Sequence, residues 1–98
     1  MRTINISLIP FLNTKPFYYG IKHFKKLKNF NISYDVPSVC AQKVLSGTTD
    51  IGLVPSAVIP FLKGYQIITD TCIGSNGNVK SVILVSQSPM KLLKTIYL

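Results

Sequence analysis

Glutamate is absent from this 98-residue chain, and the only acids are Asp35, Asp50 and Asp70. Paired-carboxylate acid–base chemistry needs two acids held close together, and no two of these are neighbours in sequence. The single histidine, His23, lies among lysines with no acid nearby, so no Ser-His-Asp order can be traced. It is expected to be a surface residue. The two cysteines, Cys40 and Cys72, lie far apart and form no CxxC pair. With His23 they are too few and too widely spaced for a metal site, and they read as buried reduced thiols. Arginine is limited to Arg2. Nucleic-acid readers favour arginine for bidentate contacts to bases and phosphates, so no nucleic-acid partner is expected. The one glycine-rich stretch, Gly74-Ser75-Asn76-Gly77, matches neither phosphate-binding fingerprint. The apolar run from Ile4 to Leu12 is interrupted by Asn5, Ser7 and Pro10, and no small-residue cleavage site follows it. It is neither a signal peptide nor a transmembrane helix. The expected setting is soluble, reducing and cytoplasmic, with no membrane partner.

What is present is the composition of a folded chain. Hydrophobic residues make up 47% and charged residues 14%, which excludes a disordered polymer. The length allows one domain at most. The formal net charge is +8. Such a charge suits nucleic acid, an anionic surface or small anions. Abundant Lys, Ile and Asn also fit an AT-rich coding sequence, with the lysines on a solvated face.

Residues 3–8 alternate Ile4, Ile6 and Leu8 with Thr3, Asn5 and Ser7, which predicts a strand. Pro10 breaks it. Asn13 or Thr14 is placed to cap a helix, with Pro16 in its first turn. Phe17, Ile21, Phe24 and Leu27 form the apolar stripe of that helix, and Lys22, Lys25, Lys26 and Lys28 its wet side. Residues 31–36 predict a second strand. Pro37-Ser38 opens a second helix, with Ser38 as cap and Val39, Cys40, Val44 and Leu45 buried. Gly47 ends it. Residues 50–54 predict a strand buried on both faces, and residues 55–62 a short helix closed by Gly64. The order is βαβαβα, which makes the strands parallel neighbours. Residues 65–73, 79–86 and 95–98 read as further extended runs. The turn at Gly74 to Asn78 suits either a hairpin or a looser loop. Ser88-Pro89 opens a short helical turn.

In open parallel sheets, ligands bind beyond the carboxyl ends of the strands, near helix N-termini. Residues 10–16 and Pro55-Ser56-Ala57 fall there, and residues 74–78 are able to close over the same edge. They offer backbone N–H groups and neutral Asn, Thr and Ser side chains, suited to carboxylates and hydroxyls. Each is equally an ordinary cap or turn.

Four stretches in order narrow this. They are Phe11-Leu12-Asn13-Thr14-Lys15-Pro16, Asp50-Ile51-Gly52-Leu53-Val54-Pro55-Ser56, Cys72-Ile73-Gly74-Ser75-Asn76-Gly77 and Val79-Lys80-Ser81-Val82. Together they resemble the N-terminal part of the chorismate dehydratases of the futalosine route to menaquinone. The resemblance implies a type II periplasmic-binding-protein-like α/β fold with a mostly parallel sheet and flanking helices. On that basis residues 1–98 are the first lobe of two, and the second lobe is absent from this chain. It implies a cytoplasmic hydro-lyase that converts chorismate to 3-[(1-carboxyvinyl)oxy]benzoate without metal or organic cofactor. Asn13 and Ser81 are then the catalytic candidates. Thr14, Ser56 and Ser75 are candidates for holding substrate carboxylates. The family usually carries Ser-Tyr before Leu-Asn-Thr, where this chain has Pro10 and Phe11. With half the cleft absent, the chain alone is expected to be nearly inactive. The alternative is a non-enzymatic lobe that binds small anions, or a degenerate gene product.

Overall fold

The computed structural model describes residues 2–26 and 28–97. Leu27, expected on the first apolar stripe, and Leu98, expected in a last strand, lie outside them. The core is a three-stranded parallel sheet of β1 (Ile4–Leu8), β2 (Phe30–Tyr34) and β3 (Ile51–Gly52), in the order β2-β1-β3. The expected parallel α/β arrangement is present. Helix α1 (Lys15–His23) joins β1 to β2, and α2 (Pro37–Leu45) joins β2 to β3.

Register sorts the sheet into two unlike faces. Ile4 pairs with Phe30, Ile6 with Ile32 and Ile51, and Leu8 with Tyr34. Paired residues in neighbouring strands point to the same side, so this face is apolar. The other face carries Asn5 beside Asn31, and Ser7 between Ser33 and Gly52. The two crossover helices lie on opposite faces. Tyr18 of α1 meets Tyr34 at a ring-centroid distance of 6.2 Å. Cys40 of α2 meets Ser7 instead, with the Ser7 hydroxyl 3.1 Å from its Sγ.

Helix α2 therefore packs on the polar face, and that packing needs hydrogen bonds. Ser7, fully buried, donates to Asp35 at 2.8 Å, and so does Ser33. Lys43 reaches the same carboxylate oxygen at 2.6 Å. The expected alternation holds at Ile6 and Leu8, but Ser7 is as buried as they are because α2 covers it. Donation from Lys43, then Ser33 and Ser7, holds the Asp35 carboxyl at about 2, below the usual 3.8.

Several local expectations are corrected. The first helix stops at His23 rather than running through the lysines, and Phe24 adopts an extended conformation. Continuing it would stack Lys22 against Lys25 and Lys26 at three- and four-residue spacing, a like-charge repulsion. The cap of α2 is Val36, not Ser38. Pro37 takes the first helical position, for which its fixed φ is suited. Ala41 is buried in α2 with Cys40 and Val44, while Leu45 is exposed. Gly47 ends α2 as expected, with φ 72° and its N–H on the Val44 carbonyl. The third connection is a 3-10 helix, Ser56–Phe61, with Pro60 inside it. Proline there has no N–H to donate to an α-helical bond. Strand β3 is two residues long and half-buried rather than buried on both faces. Cys40 is buried, but Cys72 is exposed.

The largest correction concerns residues 65–97. None of the expected strands there forms among the described residues, and Ser81 stands in a turn rather than on a strand. Within residues 65–97 the only helical element is the 3-10 turn Met90–Leu92, at the place Ser88-Pro89 predicted. The Gly74 to Asn78 stretch is a loop, not a hairpin. Val82, Ile83, Leu84 and Val85 are exposed. Extended apolar runs become strands only when an edge accepts their hydrogen bonds and a covered face accepts their side chains. The helix Ser56–Phe61 buries none of its residues, so no layer exists under which a fourth strand could lie. The last tie to the sheet is the Tyr65 hydroxyl on the Thr49 carbonyl at 2.8 Å. The radius of gyration, 16.9 Å, accordingly exceeds the ~13 Å of a compact chain this long.

Asp35→Asn tests the polar seat of α2. A carboxyl with a depressed folded pKa adds stability above its unfolded value, and loses it as pH falls from 3.8 through about 2. The parent's urea midpoint is expected to drop across that window and the variant's to be flatter; equal slopes would contradict it. Gly52 provides a second test, because a Cβ there would overlap the Val44 side chain. Gly52→Ala is expected to cost about 1–3 kcal/mol, and Val44→Ala in the same chain to recover part of it in denaturant unfolding.

Candidate functional site

The strand order creates one distinctive place. The chain leaves β1 for β2 on one side through α1, and returns across β1 to β3 through α2 on the other face. Between the carboxyl ends of β1 and β3 the two connections diverge. In parallel α/β sheets this switch point is where ligands lodge. The segments that border it here are residues 9–14 and 53–56.

Both are tied to the sheet. The Leu53 N–H donates to the Ser7 carbonyl at 3.0 Å, holding the exit of β3 against β1. Beyond β1 the chain turns at once: the Phe11 N–H reaches the Ile9 carbonyl at 2.9 Å and the Thr14 N–H reaches the Phe11 carbonyl at 3.0 Å. A 3-10 helix, Leu12–Thr14, runs directly into α1. Thr14 is thus the N-cap in position but not in chemistry. Its backbone is already helical, and its side chain makes no capping bond.

That leaves an unusual group. The Thr14 side chain is buried, at 2% exposure, and its Oγ1 has no hydrogen-bond partner. A buried hydroxyl without a partner is costly, so it calls for an explanation. It stands at the N-terminus of α1, the positive end of the helix dipole, although the Thr14 and Lys15 N–H groups are already held by the Phe11 and Leu12 carbonyls and Pro16 has none. Asn13 beside it is exposed. Its amide is able to donate to a carboxylate and accept from a hydroxyl. Ser56, exposed, opens the 3-10 helix beyond β3. The first 34 residues hold no acid to repel an anion, and Asp35 is engaged by Lys43, Ser7 and Ser33.

Asn13, Thr14 and Ser56 therefore border one sheet edge. Ser75 and Ser81 do not join them: both lie exposed in residues 65–97, and the Ser75 hydroxyl donates to the Gly77 carbonyl at 2.9 Å. No hydrogen bond among the described residues links either to the switch point.

Two polar groupings were missed in the sequence. One is the Ser7–Asp35–Lys43 cluster; the signal for it is the equal placement of Ser7 and Ser33 within neighbouring strands. The other joins Asp50 to Asn5 and Arg2. Asp50 accepts the Asn5 N–H at 2.9 Å and pairs with Arg2. A depression of about 240 Å³, lined by Asn5, Asn31, Ser33, Lys43, Thr48 and Thr49, opens near the start of the strands, away from the switch point. His23 is exposed as expected, stacked on Tyr19.

Thr14→Val separates a binding role from a packing one. Removing an unsatisfied buried hydroxyl at constant shape is expected to leave the unfolding midpoint unchanged or to stabilise by about 1 kcal/mol. A clear loss in denaturant unfolding would mean that the hydroxyl serves the fold.

The comparisons with known proteins bear on the whole chain. A family model described as menaquinone biosynthesis matches residues 4–98, from β1 through the extended segment. No solved structure matches. A match across the sheet, both switch-point loops and the segment with Ser75 and Ser81 identifies the chain as a member of the menaquinone biosynthesis family.

Proposed function

We propose that the chain forms the first lobe of a chorismate dehydratase, a cytoplasmic lyase with a type II periplasmic-binding-protein-like fold. The observation that carries this is the buried, unpartnered Thr14 hydroxyl beside Asn13, at the N-terminus of α1 and the β1/β3 switch point. Chorismate is a dicarboxylate. One carboxylate is to be held by the Thr14 and Ser56 hydroxyls at the positive end of the α1 dipole, with Asn13 at the ring. Ser75 and Ser81 are to reach the substrate from residues 65–97 when a second lobe closes the cleft and orders that segment.

The reaction removes one ring proton and the ring hydroxyl as water, and the ring becomes aromatic. Aromatisation supplies a large driving force, so positioning matters more than a strong acid–base pair. That agrees with the scarcity of carboxylates and histidine in the chain. The substrate's own carboxylates are able to accept a proton.

The experiment adds chorismate and follows 3-[(1-carboxyvinyl)oxy]benzoate. A version carrying the second lobe is expected to turn over, and this chain alone to be nearly inactive. Asn13→Ala in the two-lobed version is expected to lower kcat by about 10²-fold or more, the scale of losing one well-placed polar contact, with an unchanged unfolding midpoint. Unaltered turnover would remove Asn13 from the site. Tight chorismate binding without product would instead mark a binding lobe.

A further inference from the structure

The far end of α1 carries a surface that the site does not use. Its sequence pattern predicts a helix burying Phe24 and wetting the lysines. The structure ends the helix at His23 and leaves Phe24 exposed among them. Tyr19 and Phe24 are 64% and 56% exposed, although both carry large apolar rings. Lys22, His23, Lys25 and Lys26 flank Phe24 in sequence and are also exposed. No acid occurs before Asp35, and Asp35 faces Lys43 on α2. The patch therefore combines unneutralised cations with exposed aromatic rings, and its chemistry is complementary to an anionic surface.

Two kinds of polyanion present such a surface, and the ring geometry favours one. Single-stranded nucleic acid is held by bases stacking on free aromatic faces. Here Tyr19 is stacked on His23 with ring centroids 4.0 Å apart, and Lys22 lies 5.7 Å above the Tyr18 ring. One face of each of these two rings is therefore occupied, by His23 and by Lys22. No arginine stands in the patch for bidentate phosphate contacts. A lipid headgroup layer needs neither. It accepts aromatic edges at its depth, and it attracts clustered lysines through their charge while their stems lie along the apolar boundary.

We propose that the carboxyl-terminal end of α1 and the lysine turn after it dock on an anionic phospholipid bilayer. Phe24 and Tyr19 enter the headgroup layer, and Lys22, Lys25 and Lys26 face the lipid phosphates. This contact is peripheral: among the described residues no helix is long and apolar enough to cross a membrane.

The test is sedimentation of the chain with vesicles of phosphatidylglycerol and phosphatidylcholine, and with phosphatidylcholine alone. Binding is expected to the first only, and is expected to weaken at high salt. The triple variant Lys22→Gln, Lys25→Gln, Lys26→Gln is expected to lower the partition coefficient about tenfold or more. The charge-matched triple Lys63→Gln, Lys80→Gln, Lys91→Gln, all at exposed positions, is expected to change it less than about twofold. Phe24→Ser, an independent single variant, is expected to weaken binding and to leave its salt dependence unchanged. Circular dichroism of each variant reports folding separately. Equal losses in the two triple variants would reduce the effect to net charge and overturn the proposal. So would absence of binding to the anionic vesicles, or displacement of the vesicles by a single-stranded oligonucleotide at equal phosphate.

Discussion

The sheet and its crossovers depend on how a helix is seated on the polar side of that sheet. Ser7 is fully buried in the central strand, where an apolar side chain would be the ordinary choice. Its hydroxyl needs an acceptor, and Asp35, just beyond β2, supplies one. The Asp35 carboxylate in turn needs a cation, and Lys43 of α2 reaches it. The chain Ser7–Asp35–Lys43 thus links the central strand, the end of β2 and the crossover helix. A buried polar group is tolerated only when so satisfied. Gly52 completes the seat, because Val44 occupies the space in which a Cβ would stand.

This seat places the candidate site. With α2 on the Ser7 face and α1 on the Leu8 face, the connections part between β1 and β3. The loops at that point hold Asn13, Thr14 and Ser56. The same asymmetry leaves the site free of competing charge, since Asp35 is occupied on the α2 face and Asp50 is paired with Arg2 near the start of the strands. The residues that border the site, 9–14 and 53–56, carry neutral side chains and no carboxylate.

How much of this was legible in the sequence follows from how local each signal is. Period-two alternation over residues 3–8 located β1, and the proline-led helices and Gly47 were visible because their causes are local backbone preferences. The switch-point loops followed from element order. The Ser7 cluster was hidden because it depends on register between strands distant in sequence. The end of α1 was misplaced because apolar periodicity says nothing about lysine repulsion. Residues 65–97 were misread most, since their β-forming composition is only a capacity. Pairing depends on an accepting edge and a covered face, and the helix beyond β3, which buries none of its residues, supplies no such face. Ser81 was placed on a strand for that reason. Of the five candidate site residues, the three that precede this segment border the switch point, and Ser75 and Ser81 lie exposed away from it.

On the proposed function, a small dicarboxylate lodges at the β1/β3 switch point on the Thr14 hydroxyl. A crystal structure with bound 3-[(1-carboxyvinyl)oxy]benzoate tests it most directly. The expected density lies between residues 11–14 and 53–56, with a carboxylate oxygen in hydrogen-bonding contact with Thr14 Oγ1. Ligand density at the other end of the strands, around Asn31 and Lys43, with Thr14 still unpartnered, would contradict it.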